Sequence, residues 1–71
     1  MIEEKRDYVE LNTFLKIKNQ ASSGGEAKQI IRSEKVKVNG EIETRNKRKL
    51  RAGDEIEINN QTYILKAEEI K

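Results

Sequence analysis

Lys35-Val36-Lys37-Val38-Asn39-Gly40-Glu41-Ile42-Glu43 decides the fold, because apolar and polar residues alternate on both sides of an Asn-Gly pair. Alternation at a period of two marks a half-buried strand, and Asn-Gly supplies the positive φ angles of a tight hairpin. A two-residue turn would set Val38 opposite Glu41 and put Ile42 on the face of Lys37. A three-residue loop, Asn39 to Glu41, instead pairs Val38 with Ile42, Lys37 with Glu43 and Val36 with Thr44, and keeps the apolar residues on one face. The longer loop is therefore expected. The other face then carries Lys35 and Lys37, with Glu43 ion-paired to Lys37.

The acid-free run Thr44-Arg45-Asn46-Lys47-Arg48-Lys49-Leu50-Arg51 follows, in which Leu50 reads as a core anchor. A turn at Ala52-Gly53-Asp54, where the aspartate satisfies turn amides, leads into the alternating strand Glu55-Ile56-Glu57-Ile58 with its glutamates toward solvent. Asn59-Asn60-Gln61 turns the chain into Thr62-Tyr63-Ile64-Leu65, and a second three-residue loop would bring Ile64 opposite Ile56.

Upstream, Val9-Glu10-Leu11 reads as a short strand. Asn12 or Thr13 then caps a helix running to about Asn19 or Gln20, which buries Phe14, Leu15 and Ala21. Ser23-Gly24-Gly25-Glu26 matches the S-x-x-E capping box, with Ser23 as N-cap and Glu26 reaching back to its amide. The second helix so begun has the stripe Ala27, Ile30, Ile31 and leaves Lys28 and Arg32 one turn apart on a more exposed face. The sum is an α+β fold, two N-terminal helices packed on a small, mostly antiparallel sheet. It is expected as one domain over residues 1–71, with its core at about 8–66 and a frayed tail at 67–71.

Composition narrows the function. A chain of 71 residues with 34% hydrophobic content and three aromatics builds a small core, too small for a buried cofactor pocket with a lid, so no cofactor and no small-molecule substrate is expected. Without cysteine or histidine there is neither a disulfide framework nor a zinc site, and a reducing cytoplasm is the natural compartment. Met1 to Arg6 lacks the apolar run of a signal peptide, and no stretch approaches the length of a membrane span. No serine has a base at recognisable spacing, and Glu55 and Glu57 lie on a solvent face, so no enzyme is expected.

The net charge of +2 conceals segregation: residues 11–52 hold eleven bases against four acids, while both ends are acidic. Such asymmetry points to a polyanionic partner. Arg45, Lys47, Arg48, Lys49 and Arg51 would by themselves make a solvated loop, but beside Lys35 and Lys37, and with Lys28 and Arg32, they form a candidate polyanion face. Ser23-Gly24-Gly25 is in the plain reading a cap with a tight turn, and its free amides at a helix start also suit a phosphate. Stacking platforms are scarce, since Phe14 and Tyr63 read as core or sheet residues and Tyr8 is unassigned. Recognition of phosphates and of the shape of folded RNA, with modest sequence discrimination, is the expected mode.

The order of motifs resembles the S4 RNA-binding domain, also called the alpha-L RNA-binding motif. The matching elements are the Phe14-Leu15-Lys16 helix, Ser23 to Ile31 with Glu26-Ala27-Lys28 inside it, Val36-Lys37-Val38-Asn39-Gly40-Glu41, and Lys49-Leu50 followed by Gly53-Asp54-Glu55-Ile56. The match covers roughly residues 8–60, and Ser-Ser-Gly-Gly-Glu-Ala-Lys is similar to short stand-alone members of the YaaA type. The resemblance implies a compact α+β domain that binds structured RNA through its second helix and the following hairpin, nominating Lys28, Arg32, Lys35 and Lys37 with Asn39 and Gly40 shaping the loop. It also implies ribosomal RNA, in particular the large subunit, and a role in ribosome assembly or maturation, for a protein taken as a monomer. Many family members have Ser-Arg where this chain has Ser23-Gly24. The competing reading is a protein-interaction adaptor whose acidic ends and basic middle dock a partner. A membrane-surface binder is disfavoured, since no amphipathic helix joins a basic face to bulky apolar residues.

Overall fold

Within residues 8–69, which the computed structural model describes, the elements run β1 (Val9–Glu10), α1 (Leu11–Ile17), α2 (Gly24–Arg32), β2 (Val36–Val38), β3 (Glu41–Ile42), β4 (Lys49–Leu50), β5 (Glu55–Ile58) and β6 (Gln61–Ile64). A 3₁₀ turn, Ala67–Glu69, follows. The expectations for Met1 to Arg6 and for residues 70 and 71 lie outside the described residues. The strands form two antiparallel sheets rather than one: a β1–β4 ribbon, and a four-stranded sheet in the order β3-β2-β5-β6. The architecture is α+β, with two helices.

Leu11, Phe14 and Leu15 recur at helical spacing on α1 and are fully buried, as are Ala27 and Ile31 on α2, with Ile30 half-buried beside them. They share one cluster with Val36 and Val38, with Ile56 and Ile58, and with Val9, Leu50, Ala21 and Leu65. Each large side chain so buried contributes about 1.5–3 kcal/mol. The helix ends are local. Asn19 takes φ 61° past α1, and the amides of Asn19 and Gln20 return to the carbonyls of Lys16 and Leu15, which stops the helix at Ile17 rather than near Gln20. Ser23 caps α2 as expected, its Oγ accepting from the Glu26 amide at 3.2 Å. The Glu26 carboxylate goes one residue further back than expected, to the Ser22 amide and hydroxyl at 2.6 and 2.7 Å, and is thereby held below the usual carboxylate range.

Both hairpins close on two-residue turns, against the expectation of three-residue loops. Asn39 and Gly40 hold φ of 53° and 87°, so Val38 faces Glu41 and Lys37 faces Ile42. Asn59 and Asn60, at 55° and 63°, do the same for the second hairpin, where Ile56 faces Tyr63 and Ile64 faces Glu55. The physical reason is backbone twist: two consecutive positive φ angles make the turn whose twist matches that of paired strands. Ile42 and Ile64 are left 53% and 50% exposed on the outer sheet face. Tyr63 takes the inner position instead, edge-on to Phe14 with ring centroids 6.1 Å apart.

The Asn39 side chain reinforces the first turn. Its Oδ1 accepts from the Glu55 amide at 3.0 Å and its Nδ2 donates to Asp54 at 3.2 Å, while Asp54 Oδ2 accepts from the Arg51 amide at 2.8 Å. Nothing lies within 4 Å of a Cβ built on Gly40, so its requirement is conformational and not steric crowding. Gly40→Val places a β-branched residue at positive φ and is expected to cost about 1–3 kcal/mol, a fall of roughly 5–15 °C in the melting midpoint for a domain of this size. Thermal melts of the two proteins check it, and an unchanged midpoint would refute the assigned turn.

Candidate nucleic-acid interface

The basic run is held at both ends. Its last part forms β4, pairing Lys49 with Glu10 and Leu50 with Val9, and Leu50 is fully buried. Its middle caps a helix. The first amides of α1, Leu11 N and Asn12 N, donate to the carbonyls of Arg48 at 2.9 Å and Asn46 at 3.0 Å, and the third, Thr13 N, donates to Asn12 Oδ1 at 2.8 Å. Amides of a first helical turn lack intrahelical partners, and here another part of the chain supplies them. This corrects the expectation of Asn12 or Thr13 as N-cap: Glu10 holds that position without a side-chain cap bond, and α1 starts at Leu11.

The two-residue turn also redirects Glu43. Instead of facing Lys37, its amide donates to the Val36 carbonyl at 2.9 Å and its side chain turns inward, to 6% residue exposure. Oε2 accepts from the Arg45 amide at 2.8 Å and from Arg45 Nε at 3.0 Å. Oε1 accepts from Arg45 Nη2 at 3.1 Å and from Arg48 Nη1 at 2.7 Å. These donors, the Arg45 side chain first, hold the Glu43 carboxyl down at about 2 against the opposing effect of burial, and the same contact raises Arg45. A carboxylate with bidentate and charge-assisted partners on both oxygens is a fixed point.

Around it Arg45, Lys47, Arg48 and Lys49 line an open hollow of about 610 Å³. Arg45 is 71% exposed beyond its contact with Glu43, and Arg48 is 29% exposed. Lys49 Nζ lies 5.0 Å from the Tyr8 ring centroid. Lys35 and Lys37 line a different hollow, shared with Glu34 and Glu57, in which Lys37 stands opposite Glu57 across β2 and β5. Lys28 and Arg32 are exposed on α2, and Arg51 is exposed just past β4. Ser23 is occupied by its cap, and a Cβ on Gly24 would meet nothing within 4 Å, while one on Gly25 would meet only Ser23 Oγ at 3.9 Å. Packing thus leaves room for a side chain at Gly24. Lys18, not nominated from the sequence, lies 5.6 and 5.7 Å from the centroids of Phe14 and Tyr63.

The S4 domain family model matches residues 2–66. The chain belongs to the S4 domain family. No curated protein matches it and no solved structure matches it. S4 domains are in general RNA-binding, non-catalytic modules, and the two helices and antiparallel sheets seen here are compatible with an S4 fold. No helix among the described residues is long and apolar enough to cross a membrane.

At this hollow of the S4 domain, Glu43 departs from the sequence expectation, since it bonds Arg45 and Arg48 and does not face Lys37. The available signal was its spacing, since an acid two and five residues before Arg45 and Arg48 can meet both in a tight turn. Its depressed folded value has a defined sign: the stabilisation is complete above the ordinary 4.5 and is lost as pH falls from there through about 2. The melting midpoint is therefore expected to decline across that acid window, and Glu43→Gln to flatten this decline. Melts of both proteins from neutral to acid pH measure it, and parallel declines would show that Glu43 does not carry the effect.

Proposed function

We propose that this S4 domain is a non-enzymatic RNA-binding protein of the cytoplasm that recognises structured RNA. The preferred ligand is ribosomal RNA, with a role in ribosome assembly or maturation on the large subunit, and the protein acts as a monomer. In that reading the whole chain is one alpha-L unit, two N-terminal helices packed on the sheet, and Lys28, Arg32, Lys35, Lys37 and Arg51 lie at the margin of the contact. Family membership supports the RNA class. The observation that carries the reading is the hollow of Arg45, Lys47, Arg48 and Lys49 on a loop fixed by Glu43 and by the amides of α1. Four cations converging on a backbone that does not need to be ordered on binding are suited to the phosphates of a folded RNA.

Co-sedimentation of the native protein with ribosomal particles, lost on ribonuclease treatment, is the expected result. Retention after ribonuclease would instead favour a protein partner. On deproteinised ribosomal RNA, contact with about four phosphates gives a slope of log K against log salt of about −3 to −4. Lys47 and Lys49 are exposed and stand outside the Glu43 contact, so replacing both by Ala should keep the melting midpoint and flatten the slope by about 1.5–2. Wild-type affinity and slope in that double variant would remove the hollow from the interface.

A further inference from the structure

We propose that Glu43, an acid inside a basic site, is a positioning residue for RNA contact: it fixes the guanidiniums of Arg45 and Arg48 in the orientation that meets the RNA backbone. The inference rests on the reading of the hollow as the RNA-contacting surface.

The geometry distinguishes Glu43 from a stray surface acid. It is the buried charged residue among those described, at 6% exposure, and both of its oxygens are engaged. Arg45 spends its Nε and Nη2 on the carboxylate and Arg48 its Nη1. A guanidinium carries five N–H donors in a rigid fork. The carboxylate therefore leaves the remaining donors, Arg45 Nη1 and Arg48 Nη2 among them, unused by Glu43 on guanidiniums whose planes it sets. The Arg45 amide bonded to the same carboxylate ties the backbone to that plane. Long cationic side chains otherwise lose rotamer entropy when a phosphate orders them. Here the ordering precedes binding, at the cost of one neutralised charge.

Charge and position make opposite predictions when Glu43 is neutralised. Glu43→Gln raises the net charge by one, so if the acid merely weakened the local field, affinity for a polyanion would rise and the salt slope would steepen. If the acid positions the two arginines, affinity falls despite the added positive charge. A loss of about five- to tenfold is expected, the net scale of one ordinary hydrogen bond, with a salt slope flatter by about one phosphate contact.

The measurement is filter binding of deproteinised ribosomal RNA by the intact chain at several salt concentrations, with the fold of each variant checked by circular dichroism. Arg45→Lys is the second variant, because it keeps the charge, leaves Arg48 on Glu43 and removes the fork. It should weaken binding similarly, and the double variant should lose less than the product of the two single losses, since both break one unit. If Glu43→Gln does not fold, Arg45→Lys decides alone: weakened binding with a flatter slope supports positioning, and wild-type binding overturns it. Tighter or unchanged binding by a folded Glu43→Gln overturns the inference while leaving RNA binding intact. A wild-type protein that does not bind the RNA at all overturns the functional reading itself.

Discussion

The positive φ angles of Asn39 and Gly40 fix the parity of the first hairpin, and much of the basic side of the molecule follows from that parity. Because side chains alternate along a strand, a turn one residue longer would exchange the two faces of β3. The observed turn sends Ile42 outward at 53% exposure and Glu43 inward at 6%. Taken alone this is unfavourable: half-exposing an isoleucine forgoes about 1 kcal/mol, and an unpaired buried carboxylate would cost several. The two arginines that follow remove the larger penalty by satisfying both carboxylate oxygens, with the Arg45 amide as a further donor. The hairpin turn, set by its own backbone, the carboxylate it sends inward and the loop that satisfies that carboxylate therefore form one unit.

That unit is joined to the helical part of the core by backbone bonds as well as by the packing of Val36, Val38 and Leu50. The carbonyls of Asn46 and Arg48 satisfy amides at the start of α1, and β4 pairs with β1 directly before it. These two helix amides are thus occupied within the fold. Toward a ligand, the loop's offering is its side chains. The start of α2 differs: there Ser23 caps, Gly24 has space around it, and the Glu26 carboxylate already sits on Ser22. A carboxylate in the first helical turn uses the favourable end of the helix dipole that a phosphate would otherwise meet. A phosphate at the α2 start would share that end of the helix with the Glu26 carboxylate.

What the sequence revealed was what short-range chemistry decides. The stripe of α2, the Ser23 cap, the strand at β5, the turn at Gly53 and the burial of Phe14, Leu15 and Leu50 are set by periodicity or by a capping residue within a few positions. Both hairpin registers depart from the expectation for a single reason. Gathering isoleucines on one face outweighed, in the reading, the turn preference of Asn-Gly and Asn-Asn, and in the structure the turn prevails. The N-terminus of α1 was not legible from local sequence because its capping groups are more than thirty residues away and are carbonyls, which any residue type supplies. Clustering of the loop cations was visible in the acid-free run, but the acid that organises them was counted with the opposite face.

The basic middle of the chain does not form one uniform face. Lys35 and Lys37 lie in the strongly basic middle of the chain, yet in three dimensions they share their hollow with Glu34 and Glu57. At the Debye length of ordinary salt, about 8–10 Å, such neighbours cancel most of one another's field at a distance. At the hollow of Arg45, Lys47, Arg48 and Lys49, the buried Glu43 is directed at Arg45 and Arg48, and Glu10 stands opposite Lys49 across β1 and β4. Four cations thus stand close together in one small hollow, whereas Lys35 and Lys37 are interleaved with acids. A small patch limits the number of phosphates engaged and hence the non-specific affinity. In the proposed function, discrimination would come from how well the spacing of those few cations fits the backbone of a folded RNA, which would make the geometry of the loop as consequential as its charge.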